Sequence, residues 1–222
     1  MPIGILAGTG LEGSGLALRL GQAGFPVVVG SRLANRAIEK AKQLTGDLAK
    51  AGFPTVISGA ANSELASNSD LMLLTAPFEH AADLLKSCQS TMTSGSVLVD
   101  ATVPLVFQAG RVELRELKVG SGSEYLRQFL PESCELVAAF KTIPAHVLVD
   151  IDRPLDCDLF VCSDSQQAKS RVIEIASRIP GLRPLDAGSL RQAQTLERMT
   201  ALAVEINRRY KVKSARFRVI GV

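Results

Sequence analysis

The segment Ile5-Leu6-Ala7-Gly8-Thr9-Gly10-Leu11-Glu12-Gly13 carries the spacing G-x-G-x-x-G between an apolar run and an amphipathic stretch. That order, strand then glycine turn then helix, is the one that receives a pyrophosphate. Gly8 is read as the sharp turn, Gly10 as the point where the backbone comes close to phosphate, and Gly13 as the contact packing helix on strand. The amide N–H groups at the helix start, from Thr9 through Leu11 and Glu12, then face the anion, and the helix dipole favours its charge.

About twenty residues past the glycine turn, a carboxylate would read a ribose 2′-hydroxyl, whereas a 2′-phosphate calls for cations and hydroxyl donors. The sequence offers Ser31, Arg32 and Arg36 there, and no acid. A cation at a helix start opposes the dipole unless an anion lies nearby. The three residues therefore read as a phosphate clamp, and the cofactor as NADP(H).

The elements needed to hold these groups follow an α/β rhythm. Apolar runs at 3–6, 26–30, 54–58, 70–75, 96–100 and 135–140 read as parallel strands, and the continuous run Leu71-Met72-Leu73-Leu74 as one covered on both faces. Helices are expected at 13–23, 33–51, 60–66 and 124–130, two of them closed by Gly24 and Gly52. Residues 110–122 read as a loop with one helical piece. A strand at 157–162, a helix at 165–178, a strand end at 182–186 and a final helix at 190–209 complete the chain. The fold expected is a Rossmann-type, doubly wound, mostly parallel sheet with a C-terminal α/β extension ending in a helix. Its division is drawn as a dinucleotide-binding domain over 1–141 and a smaller extension over 142–222 that completes an acceptor site.

In an open parallel sheet, ligands lie beyond the carboxyl ends of the strands. Thr75-Ala76-Pro77-Phe78-Glu79-His80 leaves one such end, so Ala76 and His80 should flank the cofactor, His80 either touching ribose or phosphate or capping its helix. Val103-Pro104 leaves the next strand. Lys141-Thr142-Ile143-Pro144-Ala145-His146 leaves the sixth, where the reactive end of a nicotinamide is expected.

Composition narrows the class. A chain of 222 residues with 46% apolar content buries a sizeable core, and no run reaches the roughly 18 residues of a membrane span. A formal charge of +3, scattered along the chain, does not point to nucleic acid. Met1-Pro2 leads straight into the first strand, which leaves no room for a signal peptide, and a cytoplasmic protein is expected. Cys88, Cys134, Cys157 and Cys162 form no C-x-x-C pair and read as buried or idle thiols, with no metal site. Basic residues from Lys211 onward read as a solvated tail or a subunit contact. Leu196, Met199, Leu202, Val204 and Ile206 give the last helix more apolar surface than one sheet face needs, so a homodimer is expected. No Ser-His-Asp set, paired carboxylates or Tyr-x-x-x-Lys is evident, and direct hydride transfer needs none, because the cofactors carry that chemistry.

Together Gly8-Thr9-Gly10, Val29-Gly30-Ser31-Arg32, the 75–80 and 142–145 segments, and Gly181-Leu182-Arg183-Pro184-Leu185-Asp186-Ala187-Gly188 resemble the NADPH-dependent reductases of the deazaflavin coenzyme F420. The related oxidoreductase domain of the STEAP metalloreductases is similar too. The resemblance spans nearly the whole chain. It implies that Thr9 to Glu12, Ser31, Arg32, Arg36, Ala76, His80, Val103 and Ala145 hold NADP. It also implies that Ile143, between Thr142 and Pro144, presses on the rings where hydride passes to a small-molecule redox acceptor. On the acceptor side Lys141 replaces a His usual in the family. Gln194 and Arg198 stand where the family tends to place Arg and Ser, and Thr200 is kept. These residues approach the deazaflavin in the family, so the changes leave two further readings open: an NADPH-dependent flavin (FMN or FAD) reductase, and a non-catalytic NADPH-binding regulator. Lys141 or Arg198 would either stabilise an anionic reduced ring or pair with nearby acids.

Overall fold

The computed structural model describes residues 1–108 and 111–222. Six strands, β1 (Ile3–Leu6), β2 (Val27–Ser31), β3 (Ile57–Ala61), β4 (Leu71–Leu74), β5 (Val97–Asp100) and β8 (Glu135–Ala138), form one parallel sheet in the order β3-β2-β1-β4-β5-β8. In register, Gly4 lies between Val28 and Met72. The chain builds outward from β1 through β2 to β3, then returns to the far side of β1 with β4. That reversal is a topological switch point, where a doubly wound sheet opens a crevice beyond its strand ends.

Helices cover both faces. On one lie α1 (Leu11–Gln22), α2 (Ala34–Lys50), α6 (Ala145–Leu148) and α7 (Gln166–Ser177), burying Leu16, Leu20, Leu44, Leu48, Leu148 and Val172. On the other lie α3 (Asn62–Asn68), α4 (Phe78–Cys88), α5 (Gly122–Arg127) and α8 (Ala193–Tyr210), burying Leu65, Leu85, Leu126 and Leu196. The two faces of β1 supply Ile5 to one core and Leu6 to the other, as strand alternation requires.

Beyond α6, β9 (Cys157–Val161) and β10 (Leu182–Asp186) form a separate parallel pair. It meets the main sheet at an antiparallel bridge between Ala138 and Cys162, with N···O distances of 2.9 and 3.0 Å. The basic tail does not hang free. Asp158 Nα–H donates to Phe217 O (2.9 Å), and Arg183 grips both Asp158 carboxylate oxygens (2.7 and 2.8 Å) and Val219 O.

Three elements differ from the sequence reading. The loop expected over 110–122 begins with a strand: β6 (Leu105–Gln108) and β7 (Arg111–Leu114) pair antiparallel, while Gly110 itself lies outside the described residues. Second, β3 runs three residues later than its apolar residues suggest. The strand sits where small residues let α2 approach, for a Cβ on Gly59 would stand 2.3 Å from the Ala37 carbonyl carbon, whereas Val56 is left 68% exposed. And α1 begins at Leu11, because Ser14 N–H already donates to Gly10 O (2.9 Å). All four cysteines are buried free thiols, and among the described residues no group of His, Cys, Asp and Glu could hold a metal ion. No helix among them is long and apolar enough to cross a membrane.

Candidate functional site

A cleft of about 1320 Å³ opens at the switch point, beyond the ends of β1, β2, β4 and β5. Its floor is the glycine turn, and the three glycines there do different work. The left-handed residue is Ala7 (φ 54°), not Gly8, so the sharp reversal assigned to Gly8 belongs to its neighbour. Ala7 N–H donates to Asn62 Oδ1 (3.1 Å) and Gly8 N–H to Gly30 O (2.9 Å), which pins the reversal to α3 and β2. Gly13 is required by contact, since a Cβ there would lie 2.4 Å from Gly8 Cα and 2.7 Å from Thr75 Oγ1. Gly10 is different. A Cβ on it meets nothing within 4 Å, and as the N-cap it offers no side chain to the first-turn amides. Those N–H groups are left for a ligand.

At one end of the cleft β2 delivers Ser31, whose Oγ accepts from Leu33 N–H (3.3 Å). Arg32 and Arg36 follow, both exposed and with no acid partner among the described residues. The first turn of α2 holds no acid, and its N-cap Leu33 supplies no side-chain cap. A helix N-terminus with two guanidinia, a hydroxyl and no carboxylate is an uncompensated positive site, built for an anion. Ala61, Asn62 and Ser63 line the adjoining wall. From β4, Thr75 Oγ1 donates to Leu6 O (3.0 Å), holding the two strand ends together, and Ala76, Pro77, Phe78 and the exposed His80 continue the lining. Val103, in the loop after β5, faces the cleft too.

The inner end rests on a buried charge cluster. Asp100, the last residue of β5, accepts at Oδ2 from Lys141 Nζ (2.7 Å) and Ser123 Oγ (2.6 Å), and at Oδ1 from Thr102 N–H (2.9 Å) and Oγ1 (2.7 Å). Lys141 also donates to Thr102 O and pairs with Glu197 Oε1 at 3.4 Å. Glu197 in turn accepts Gly122 N–H, the start of α5. Burial opposes the charge on Lys141, but Asp100 and Glu197 outweigh it and hold its pKa above the lysine range. Burial raises the Glu197 carboxyl, with Lys141 pulling the other way. Phe140, just before Lys141, is left-handed (φ 62°), a conformation that a non-glycine residue keeps only when its surroundings impose it.

Lys141 lines the cleft, but its ammonium contacts two carboxylates and a carbonyl, so of its two sequence readings the structure shows the pairing with nearby acids. Gln194 donates to Gly120 O (2.6 Å) and Arg198 is exposed, and neither lines the cleft. Thr142 is buried beneath it. Ile143, Pro144 and Ala145 do line it, as does Thr200, whose hydroxyl lies 2.8 Å from Lys141 O. The loop they form is anchored from behind. Arg19, 1% exposed, donates from Nε to Leu148 O (3.0 Å) and from Nη2 to Val147 O (3.0 Å) and Asp150 O, closing the carboxyl end of α6. Asn62, Arg19, Asp100 and Glu197 were not read from the sequence. Each reaches a partner more than forty residues away along the chain, and only Asp100, ending an apolar strand with its carboxylate at the carboxyl edge, carried a local signal.

A switch-point cleft with an open glycine turn at its centre and an acid-free anion site at one end defines a dinucleotide-binding protein of the doubly wound class. Residues 2–104 match the family model described as NADP oxidoreductase, coenzyme F420-dependent. The F420-dependent NADP reductase of Methanocaldococcus jannaschii is 35% identical over 224 aligned residues, covering 100% of this chain and 99% of the relative. The metalloreductase STEAP3 of Rattus norvegicus is 33% identical over 88% of this chain and 35% of its own length. A solved structure, described as a putative F420-dependent NADP-reductase from Arthrobacter sp. FB24, superposes with a TM-score of 0.81 at 22% identity over 99% of both chains, which bears on the fold. The chain belongs to the F420-dependent NADP reductase family.

Proposed function

We propose that this protein transfers hydride between NADP(H) and coenzyme F420. The observation that carries the reading is one continuous cleft with the Ser31–Arg32–Arg36 anion site at one end and the Ile143–Pro144 face at the other, the open Gly10 turn between them. The residues fit the cofactor: Gly10 leaves room for a pyrophosphate against first-turn amides, and the acid-free start of α2 suits a 2′-phosphate rather than a free 2′-hydroxyl. NADP(H), when bound, supplies or takes the hydride.

The protein's part is placement. Thr9 to Glu12 hold the phosphates, Ala76, His80, Val103 and Ala145 the riboses, and Ile143 backs the rings, while the Arg19 anchor and the Lys141 cluster stop that loop from yielding. Near-attack alignment of two rings contributes on the order of 7–11 kcal/mol without an acid or base. The extension from Thr142 onward, including Thr200, closes the acceptor end. We assign the chain to the cytoplasm as a homodimer through the outer face of α8, where Leu202 is 53% exposed; light scattering giving a monomer mass would reject that assembly. The flavin alternative drew on Lys141, Gln194 and Arg198, and with one committed to acids and two outside the cleft no observation favours it.

The test is steady-state oxidation of NADPH and NADH by the purified protein, offering F420, FMN, FAD and riboflavin in turn. Turnover with NADPH and F420 supports the proposal. Turnover with flavins alone, or preference for NADH, rejects it.

A further inference from the structure

Glu12 is the one acid on the cleft's glycine turn, and its position is a poor one for a carboxylate. It occupies the first turn of α1, half-buried, and is one of the residues lining the cleft. The charged groups facing it are Lys141 from the loop after β8 and Asp100 from β5, with Glu197 of α8 behind Lys141. The one cation of this set is spent, because its ammonium already serves Asp100, Thr102 O and Glu197. Two carboxylates around one ammonium leave the cluster with a surplus negative charge, and an ionised Glu12 would add a second. The same turn is the one that must receive a pyrophosphate. The dipole of α1 favours an anion there, but a single helix end cannot serve a carboxylate and a pyrophosphate at once.

We propose that Glu12 binds as a neutral carboxylic acid, so that dinucleotide binding is linked to proton retention at this residue and the protonated carboxyl donates a hydrogen bond to the bound cofactor. The inference rests on the NADP(H) reading above and deepens it. Burial, with Lys141 partly offsetting it and Asp100 adding to it, pushes the Glu12 pKa to about 8. An anionic ligand at the same turn raises it further. By linkage, affinity for the dinucleotide is then constant while Glu12 is protonated in both states, and weakens as pH rises through 8 and the free protein gives up its proton. At neutral pH the residue acts as a donor, the role an amide would also fill.

The measurement is NADPH affinity by fluorescence titration between pH 7 and 9.5, a window above the titration of the cofactor's own 2′-phosphate, on the wild type and on Glu12→Gln. The expected result is a wild-type Kd that rises about five- to tenfold across the window, while Glu12→Gln starts within about twofold of the wild type and stays flat. Equal pH dependence in the two proteins overturns the proposal, as does a Glu12→Gln variant already tenfold weaker at pH 7, because the amide donates as the acid does. Glu12→Asp, which shortens the side chain and keeps the charge, should retain a pH-dependent Kd. If the wild type binds NADPH at no pH, the cofactor reading itself fails. Binding without pH coupling leaves that reading intact and rejects only the role of Glu12.

Discussion

Lys141 Nζ stands 2.7 Å from Asp100 Oδ2 with neither side chain exposed, joining the carboxyl ends of two neighbouring strands under the inner end of the cleft. Asp100 and Glu197 hold the ammonium charged against its burial, and Glu197 extends the pair to α8. Lys141→Ala leaves two buried carboxylates without a counter-ion and should destabilise the protein by about 3–5 kcal/mol, measured by urea unfolding at pH 7. Adding Asp100→Asn should recover part of that loss; a strictly additive double variant would mean the pair is not coupled.

Gly10 and Gly13 separate folding from binding. Gly13→Ala drives a Cβ into the Gly8 backbone and should cost about 1–3 kcal/mol of stability. Gly10→Ala meets open space at an ordinary backbone angle (φ −73°), so its melting temperature should match the wild type. NADPH affinity should nonetheless fall about tenfold or more, because the new methyl stands where the phosphates approach. Unchanged binding by isothermal titration would refute this placement of the pyrophosphate.

Arg32 and Arg36 have no acid partner among the described residues, so Arg32→Ala with Arg36→Ala should shift stability by less than about 0.5 kcal/mol. Removing two charge-assisted contacts to a 2′-phosphate should weaken NADPH about 100-fold and leave NADH nearly as it was. Comparing kcat/KM for the two nucleotides in the same preparation decides it.

Arg19 reaches three carbonyls around the end of α6 from a site burial disfavours for a cation, its pKa lowered by desolvation with Asp150 opposing. Arg19→Met keeps the volume and removes the donors, leaving carbonyls unpaired at about 1–3 kcal/mol. Loosening the 142–145 loop should raise KM for NADPH, and Arg19→Lys should restore stability only in part because one ammonium cannot span the three acceptors. A KM unchanged at lowered stability would limit Arg19 to folding.

Glu12 also marks the pH profile of stability. Its folded pKa is raised from 4.5 to about 8, so between those values the unfolded chain has released a proton that the folded one retains. Stability from this residue is therefore highest at low pH, falls as pH rises from 4.5 to 8, and is flat above. At pH 8.5 Glu12→Gln should be more stable than the wild type by about 1–2 kcal/mol, less than the full shift implies because water reaches the side chain. The gap should close toward pH 4.5 in denaturant titrations.

What was legible in the sequence was local. The Gly8 to Gly13 spacing, the apolar runs of β1, β4 and β5, and the acid-free Ser31–Arg32 corner each depend on neighbours within a turn or a strand, and those periodicities decide element type and the nucleotide end of the cleft. The hairpin β6–β7 was not legible because its strands are half-exposed and lack a clean alternation. β3 was displaced because the contact of Gly59 with Ala37, not apolarity, sets where the strand lies.

At the acceptor end, the family resemblance could name Lys141, Gln194, Arg198 and Thr200 but not sort them. Lys141 looks like a free cation until β5, β8 and α8 converge and surround it with Asp100 and Glu197, from 41 and 56 residues away along the chain (141 − 100 and 197 − 141). Gln194 and Arg198 lie on the same helix as Thr200, and only the packing of α8 decides that Thr200 alone of the three lines the cleft. The sequence determined the elements and the anion-binding turn, because backbone geometry and short-range pattern suffice for them. The tertiary structure decided which charges are buried, paired or left for a ligand, because desolvation and Coulomb energy depend on neighbours that the chain brings together only when folded.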